Sequence, residues 1–163
     1  MLRSTPISVV SPGRSNQEFS NRSAFAALKE DGSVITWGRS SSGGDSSSVA
    51  EQLSSGVVQI FSNGFAFAAL KDDDSVVTWG TSGWGGDSSS VADQLSSGVI
   101  KVFSNSGAFS ALKDDGSIVT WGSTNHAGDS SSVADQLSSG VVQIFSTVNS
   151  FAALKDDGSV ISW

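Results

Sequence analysis

The chain has 163 residues, no cysteine, and 16 acidic against 9 basic side chains, for a net charge of −7. That length suffices for a buried core; the missing cysteines exclude disulfides and Cys-based metal or redox sites. No apolar run approaches the roughly 20 residues that span a bilayer, which argues against a membrane partner. The charge is uneven: residues 1–22 hold Arg3, Arg14 and Arg22 against Glu18, while the remainder holds 6 basic and 15 acidic groups. Such an acidic stretch repels phosphate backbones, so nucleic acid is not an expected partner, and it favours solubility or a basic partner.

The opening MLRSTPISVVSPGRSNQ has an arginine and a four-residue apolar patch, too short for a signal-peptide core. Residues 1–16 read as a poorly ordered lead-in, and no compartment is assigned. From Gln17 onward the chain repeats. Gln17, Phe19, Ser20 and Asn21 match Gln59, Phe61, Ser62 and Asn63 at an offset of 42 residues. The stretch Phe25–Gly38, FAALKEDGSVITWG, returns as Phe67–Gly80, Phe109–Gly122 and Phe151–Trp163, and Trp37, Trp79, Trp121 and Trp163 keep the same spacing without insertion. Periods of about 20 to 50 residues mean solenoids, propellers or arrays, in which a unit buries its apolar face only against its neighbours. Residues 17–163 hold about 3.5 periods: four hairpin copies (25–38, 67–80, 109–122, 151–163) and three connecting segments.

Within one unit, Val57-Val58-Gln59-Ile60-Phe61 is β-branched and aromatic, a first strand by composition. Ser62-Asn63-Gly64 breaks it, and Ala66–Lys71 and Ser75–Trp79 follow as second and third strands. Asp-Gly between apolar runs is a strong hairpin signal, because glycine takes the positive-φ position freely. At Asp74 the glycine is missing; aspartate tolerates that region at a cost of about 1 kcal/mol, and the turn is expected to survive. Both faces of the second and third strands are apolar, as for a sheet covered on both sides. The small Ala68-Ala69 pair leaves room for Phe and Trp from a neighbouring sheet.

After Trp-Gly the linker reads GGDSSSVAEQLSSG over Gly43–Gly56, with copies at Gly85–Gly98 and Ala127–Gly140. Ser48…Glu51, Ser90…Asp93 and Ser132…Asp135 fit a capping box, and Gly56, Gly98 and Gly140 stand where a helix-ending glycine belongs. A helix of one to two turns is expected, pinned to the sheets by Val49 and Leu53. The fold class is therefore all-β: tandem 42-residue repeats forming propeller-type blades, as a partial ring or open arc, with a short helical turn in each linker.

The order strand, Gly/Ser break, L-K-D-D-G-S-V-T-W-G hairpin and Gly-rich linker, carried by Gly56–Gly80 and its copies, resembles the regulator-of-chromosome-condensation repeat in its short-repeat form. The resemblance covers everything from Gln17 onward and implies a β-propeller of four-stranded blades closed into a ring, usually of seven. Two departures stand out. Family repeats place Gly and His before the second strand, whereas here the positions read Asn21–Ala24, Asn63–Ala66, Asn105–Ala108 and Thr147–Ser150, so the contacts those residues make are replaced or absent. The array also supplies about half a ring, so the chain is a piece of a longer array, a homodimer completing a ring, or an open arc.

The founding member of that family exchanges nucleotide on a small GTPase through a protruding loop; no insertion beyond the repeat exists here to serve as one. Gly43-Gly44-Asp45 and its copy at 85–87 are read as turns into a cap rather than calcium loops, and Asp72-Asp73-Asp74 as a solvated hairpin tip. Serines lack a neighbouring base, and His126 has no recurring partner. No catalytic constellation, cofactor or metal site is expected, and the chain is not expected to be an enzyme. What varies are two loops: Arg39–Ser42, Thr81–Trp84 and Ser123–His126 after Trp-Gly, and the four-residue loops before the second strand. A constant frame presenting variable loops is the layout of a binding surface, with drift where packing does not constrain the chain as the plainer reading. Phe65, Trp84, Arg39 and His126 are the candidate binding residues, aromatic anchors being enriched at hot spots. The expected function is a non-enzymatic scaffold for protein–protein interaction. The alternatives are a fragment of a larger protein whose exchange or other activity lies elsewhere, or a structural surface array.

Overall fold

The computed structural model describes residues 16–163, which contain strands, turns and short 3-10 segments. The lead-in expected over residues 1–16 lies outside the described residues, Asn16 excepted. Four antiparallel sheets follow one another along the chain. The first comprises β1 (Gln17–Ser20), β2 (Ala24–Leu28) and β3 (Val34–Gly38), and the second β4 (Val57–Ser62), β5 (Ala66–Lys71) and β6 (Val76–Gly80). The third comprises β7 (Val99–Ser104), β8 (Ala108–Lys113) and β9 (Ile118–Gly122), and the fourth β10 (Val141–Ser146), β11 (Phe151–Lys155) and β12 (Val160–Ser162).

Each sheet has three strands where the family resemblance implied four. The Gly/Ser/Asp-rich linker forms two 3-10 turns instead, Ser40–Ser42 and Ser47–Val49 in the first repeat. Short polar side chains there bond their own backbone and compete with a ladder. The same competition overturns the expected capping box. The turn begins at Ser47 without a serine side-chain cap, and the Asp45 carboxylate accepts the Ser47 N–H at 2.9 Å. Asp87 and Asp129 repeat that contact with Ser89 and Ser131, both at 2.9 Å. Only a single tight turn therefore precedes Leu53, which is nevertheless buried, as are Leu95 and Leu137. Gly56, Gly98 and Gly140 do end these segments at positive φ.

The hairpin turns behave as their composition requires. The Gly32 and Gly116 N–H groups each reach back to a lysine carbonyl at 3.0 Å, and Asp74, with φ of 62°, makes the same bond to Lys71 at 3.1 Å. A register shift between Val57 and Gln59 recurs at Val99/Lys101 and Val141/Gln143. This bulge lets Val57 and Ile60, an odd number of residues apart, both point into one core.

The core lies between sheets. From the first sheet come Ala24, Ala26 and Leu28; from the second, Phe67, Val77 and Trp79. Ala66, Ala68 and Leu70 meet Phe109, Val119 and Trp121 in the same way. Of the alanine pair, Ala68 receives the neighbour's rings, whereas Ala69 sits on the opposite face beside Phe67. Every junction is also tied by an indole. Trp79, Trp121 and Trp163 Nε1 donate to the carbonyls of Gly43, Gly85 and Ala127 in the preceding linker, at 3.1, 3.2 and 3.2 Å. Gly43 must be glycine for this approach: its φ is 98°, and a Cβ would stand 2.7 Å from the Phe67 ring.

Candidate protein-binding surface

The loop between the first and second strands is built on one asparagine. Asn63 Oδ1 accepts the N–H groups of Phe65 (3.0 Å) and Ala66 (2.9 Å), while its Nδ2 donates to the Trp84 carbonyl at 2.5 Å. Asn21 does the same for Ser23, Ala24 and the Ser42 carbonyl, and Asn105 for Gly107, Ala108 and the His126 carbonyl. These asparagines hold the loops in which the family resemblance would place Gly and His. Asn63 and Asn105 are buried, where a polar group holds its place only when bonded. In the fourth loop Thr147 takes the position, its Oγ1 accepting the Ser150 N–H at 3.2 Å.

In the first three repeats the asparagine thus staples the two variable loops to one another. A second set of bonds joins repeats laterally: Arg22 N–H to Gly64 carbonyl (3.3 Å), Gly64 N–H to Ser106 carbonyl (3.0 Å), Ser106 N–H to Val148 carbonyl (3.2 Å). The four loops form one ledge across the array.

On that ledge the side chains that differ between repeats meet. The Arg22 guanidinium carbon lies 5.3 Å from the centre of the Phe65 ring, within cation–π range. Phe65 meets Trp84 edge-on at 4.7 Å, and Trp84 meets His126 at 5.0 Å with the planes tilted by 42°. Trp84 and His126 rest over Gly107, where a Cβ would stand 2.7 and 2.8 Å from them. His126 Nδ1 lies 3.0 Å from Ser123 Oγ. Phe65, Trp84 and His126 are half-buried and Arg22 is exposed, so the stack keeps an open side.

Three of the four expected residues come together here. Arg39 does not: it is exposed beside the Ser40–Ser42 turn, its backbone N–H on the Ser23 carbonyl at 2.8 Å. Sequence reasoning missed Arg22, Gly107 and the stapling asparagines. Asn21, Asn63 and Asn105 recur with the period, and that recurrence was the available signal.

The acids gather elsewhere. Hairpin tips Asp31, Asp73, Asp115 and Asp157 lie at the sheet ends opposite the ledge. The hydroxyls of Ser33, Ser75, Ser117 and Ser159, then their N–H groups, hold these carboxyls below the usual carboxylate range. Asp45, Asp87 and Asp129 are held low first by the N–H groups of Ser47, Ser89 and Ser131. Among the described residues no group of three or more His, Asp or Glu is placed to hold a metal ion, and no helix is long and apolar enough to cross a membrane. Two grooves of about 620 and 680 Å³ repeat between successive linkers; the Thr78 and Ser88 hydroxyls in the first are bonded to each other at 2.9 Å.

No protein-family model and no curated protein matches the sequence. Solved structures do match its fold. Prp20p of Saccharomyces cerevisiae, characterised for its binding to Gsp1p and histones, superposes with a TM-score of 0.60 at 19% identity, over 90% of this chain and 43% of its own. Yeast RCC1 (Prp20) bound to Kap60 gives 0.55 at 19% over 90% and 42%, and human WBSCR16 gives 0.52 at 19% over 94% and 48%. This chain spans less than half the length of each. At such identity the likeness speaks for fold, and it agrees with the hairpin, the tryptophan spacing and the sheet-on-sheet core. In fold, the chain is an array of blades similar to those of the regulator-of-chromosome-condensation propellers.

Proposed function

We propose that the chain is a protein-binding scaffold without a reaction of its own, and that its partner docks on the ledge around Arg22, Phe65, Trp84 and His126. One observation carries the reading: side chains that break the repeat pattern, drawn from different repeats, converge on one open stack. In an array whose frame repeats, departures brought together on one surface are what a binding site requires. Half-buried aromatic rings on a stapled backbone bring large contact area at little entropic cost. The net charge of −7 favours a partner with a basic surface. Prp20p's binding of Gsp1p and histones, and yeast RCC1's complex with Kap60, are precedents for protein partners on this fold in those proteins.

The test is quantitative affinity capture with wild type, Trp84→Ala and Phe65→Ala, using Asp73→Asn at the far edge as control. At least one specifically captured protein should fall in recovery by about 30-fold or more with either aromatic variant, the loss a hot-spot residue causes. It should be retained by the control. Equal recovery from all four proteins refutes the reading.

A further inference from the structure

Most basic side chains among the described residues are already engaged. Lys71, Lys113 and Lys155 Nζ each donate to a linker carbonyl, at 2.7, 2.7 and 2.8 Å. Lys29 pairs with Asp31 at 3.8 Å, and Lys101 lies 5.1 Å from the centre of the Phe103 ring. The two arginines differ. Neither Arg22 nor Arg39 has an acceptor for its guanidinium N–H groups among the described residues, and both are exposed. A guanidinium presents five donors in a fixed fork that matches a carboxylate. In a chain with 16 acidic side chains, the absence of a carboxylate from both forks is a matter of placement.

That placement is the ledge. Residues 21–24, 39–42, 63–66, 81–84, 105–108, 123–126 and 147–150 contain no Asp or Glu. Both arginines stem from its first-repeat end, where the Arg39 N–H donates to the carbonyl of Ser23, the residue after Arg22. Arg22 is held in position there. Its backbone N–H bonds the Gly64 carbonyl at 3.3 Å, and its guanidinium carbon lies 5.3 Å from the centre of the Phe65 ring. A ring contact of this kind draws on the charge and leaves most of the five N–H donors free.

We propose that the segment received by the ledge carries a carboxylate beside a large apolar side chain. The carboxylate binds the Arg22 fork, and the apolar side chain covers Trp84. This rests on the ledge being the docking surface. Guanidinium and indole are separated by no more than two contacts, 5.3 Å to Phe65 and 4.7 Å from Phe65 to Trp84. At about 3.4 Å per residue, an extended chain covers that span with the acid and the apolar residue two or three positions apart. The charge pattern selects a carboxylate over a phosphate. A phosphate carries nearly two charges and suits clustered arginines, whereas this chain has a net charge of −7 and a single arginine on the stack. The net charge acts on the approach of the whole partner, and the fork acts on the few residues that touch it. A partner that is basic elsewhere therefore docks through an acidic segment.

The experiment selects phage-displayed random peptides on the immobilised full chain, then measures the enriched peptides, synthesised and labelled, by fluorescence anisotropy. Arg22→Gln and Trp84→Ala are the variants, with their fold verified by far-UV circular dichroism. Enriched peptides are expected to hold Asp or Glu two or three residues from Phe, Leu or Trp. Replacing that acid by its amide, or Arg22 by Gln, should weaken binding about 10-fold or more, the weight of a hydrogen bond to a charged group. Both changes together should cost little more than either one, because they remove the same contact. Trp84→Ala should also weaken binding. Peptides lost with Trp84→Ala, yet indifferent to Arg22→Gln and to their own acids, overturn this proposal and leave the ledge reading intact. Tighter binding when phosphoserine replaces the acid overturns it in favour of a phosphopeptide site. Peptides indifferent to both variants contradict the ledge reading and this proposal together. No enrichment over an uncoated support overturns the linear segment proposed here.

Discussion

Ser110 is the one described residue whose buried side-chain polar atom lacks a hydrogen-bond partner. It is 0% exposed, in β8, between Ala108 and Leu112 on the face that packs against Phe151 and Ile144. The same position holds Ala26, Ala68 and Ala152 in the other repeats, so the backbone there is already shaped for alanine. Burying an unbonded hydroxyl costs about 1–3 kcal/mol. Removing one oxygen leaves a void that returns a few tenths of that, at roughly 24 cal/mol per Å³. Ser110→Ala should therefore stabilise the array by about 1 kcal/mol, or about 3 °C in a domain of this size. The converse change, Ala68→Ser, should destabilise by a similar amount. Urea and thermal unfolding, followed by tryptophan fluorescence and far-UV circular dichroism, measure both. A Ser110→Ala protein that is no more stable than wild type would mean the hydroxyl is satisfied, and that the junction is looser than the packing here implies.

Three further outcomes follow from the same geometry. Asp74→Gly should stabilise by about 1 kcal/mol in urea unfolding, because glycine takes the positive φ that the aspartate holds at a cost; a destabilised variant would contradict the turn geometry. Asn63→Ala removes three hydrogen bonds and should cost about 3 kcal/mol at roughly 1 kcal/mol each, with a shift in tryptophan emission as the Trp84 loop is freed; a loss below 1 kcal/mol, on the same scale, would show that the staple does not hold the ledge. The turn aspartates titrate lower in the folded chain than in the unfolded one, so the stability they add is present above the unfolded value near pH 4 and is lost as pH falls through the folded one. The urea midpoint should accordingly drop below about pH 4, and Asp73→Asn with Asp115→Asn should shrink that drop; an unchanged drop would assign it to other carboxylates.

The frame of this protein was legible because its signals are local and repeated. Asp-Gly turns, paired apolar faces and Trp79-type residues each act within a few positions, and a strict period multiplies the evidence. The capping box failed for a local reason as well: Asp45 lies one turn upstream and captures the Ser47 N–H first, so pattern alone chose the wrong acid. The fourth strand implied by family resemblance is absent because Gly43–Ser48 offers no apolar side chains to hold a ladder. Phe65, Trp84 and His126 were visible as departures from the repeat, but their convergence was not. It depends on loops 19 and 42 residues apart in the chain being drawn together by Asn63 and Asn105. Arg39 varied equally and lies outside the stack, since variation marks a loop and not the direction its residues take.

The central claim is that the ledge, and not the acidic hairpin tips or the linker grooves, receives the partner. Hydrogen–deuterium exchange of the chain with and without its captured partner tests it directly. The account predicts slowed exchange across residues 21–24, 63–66, 81–84, 105–108 and 123–126, with residues 30–33 and 72–75 unchanged. Protection confined to those hairpin tips, with the ledge exchanging freely, would contradict it.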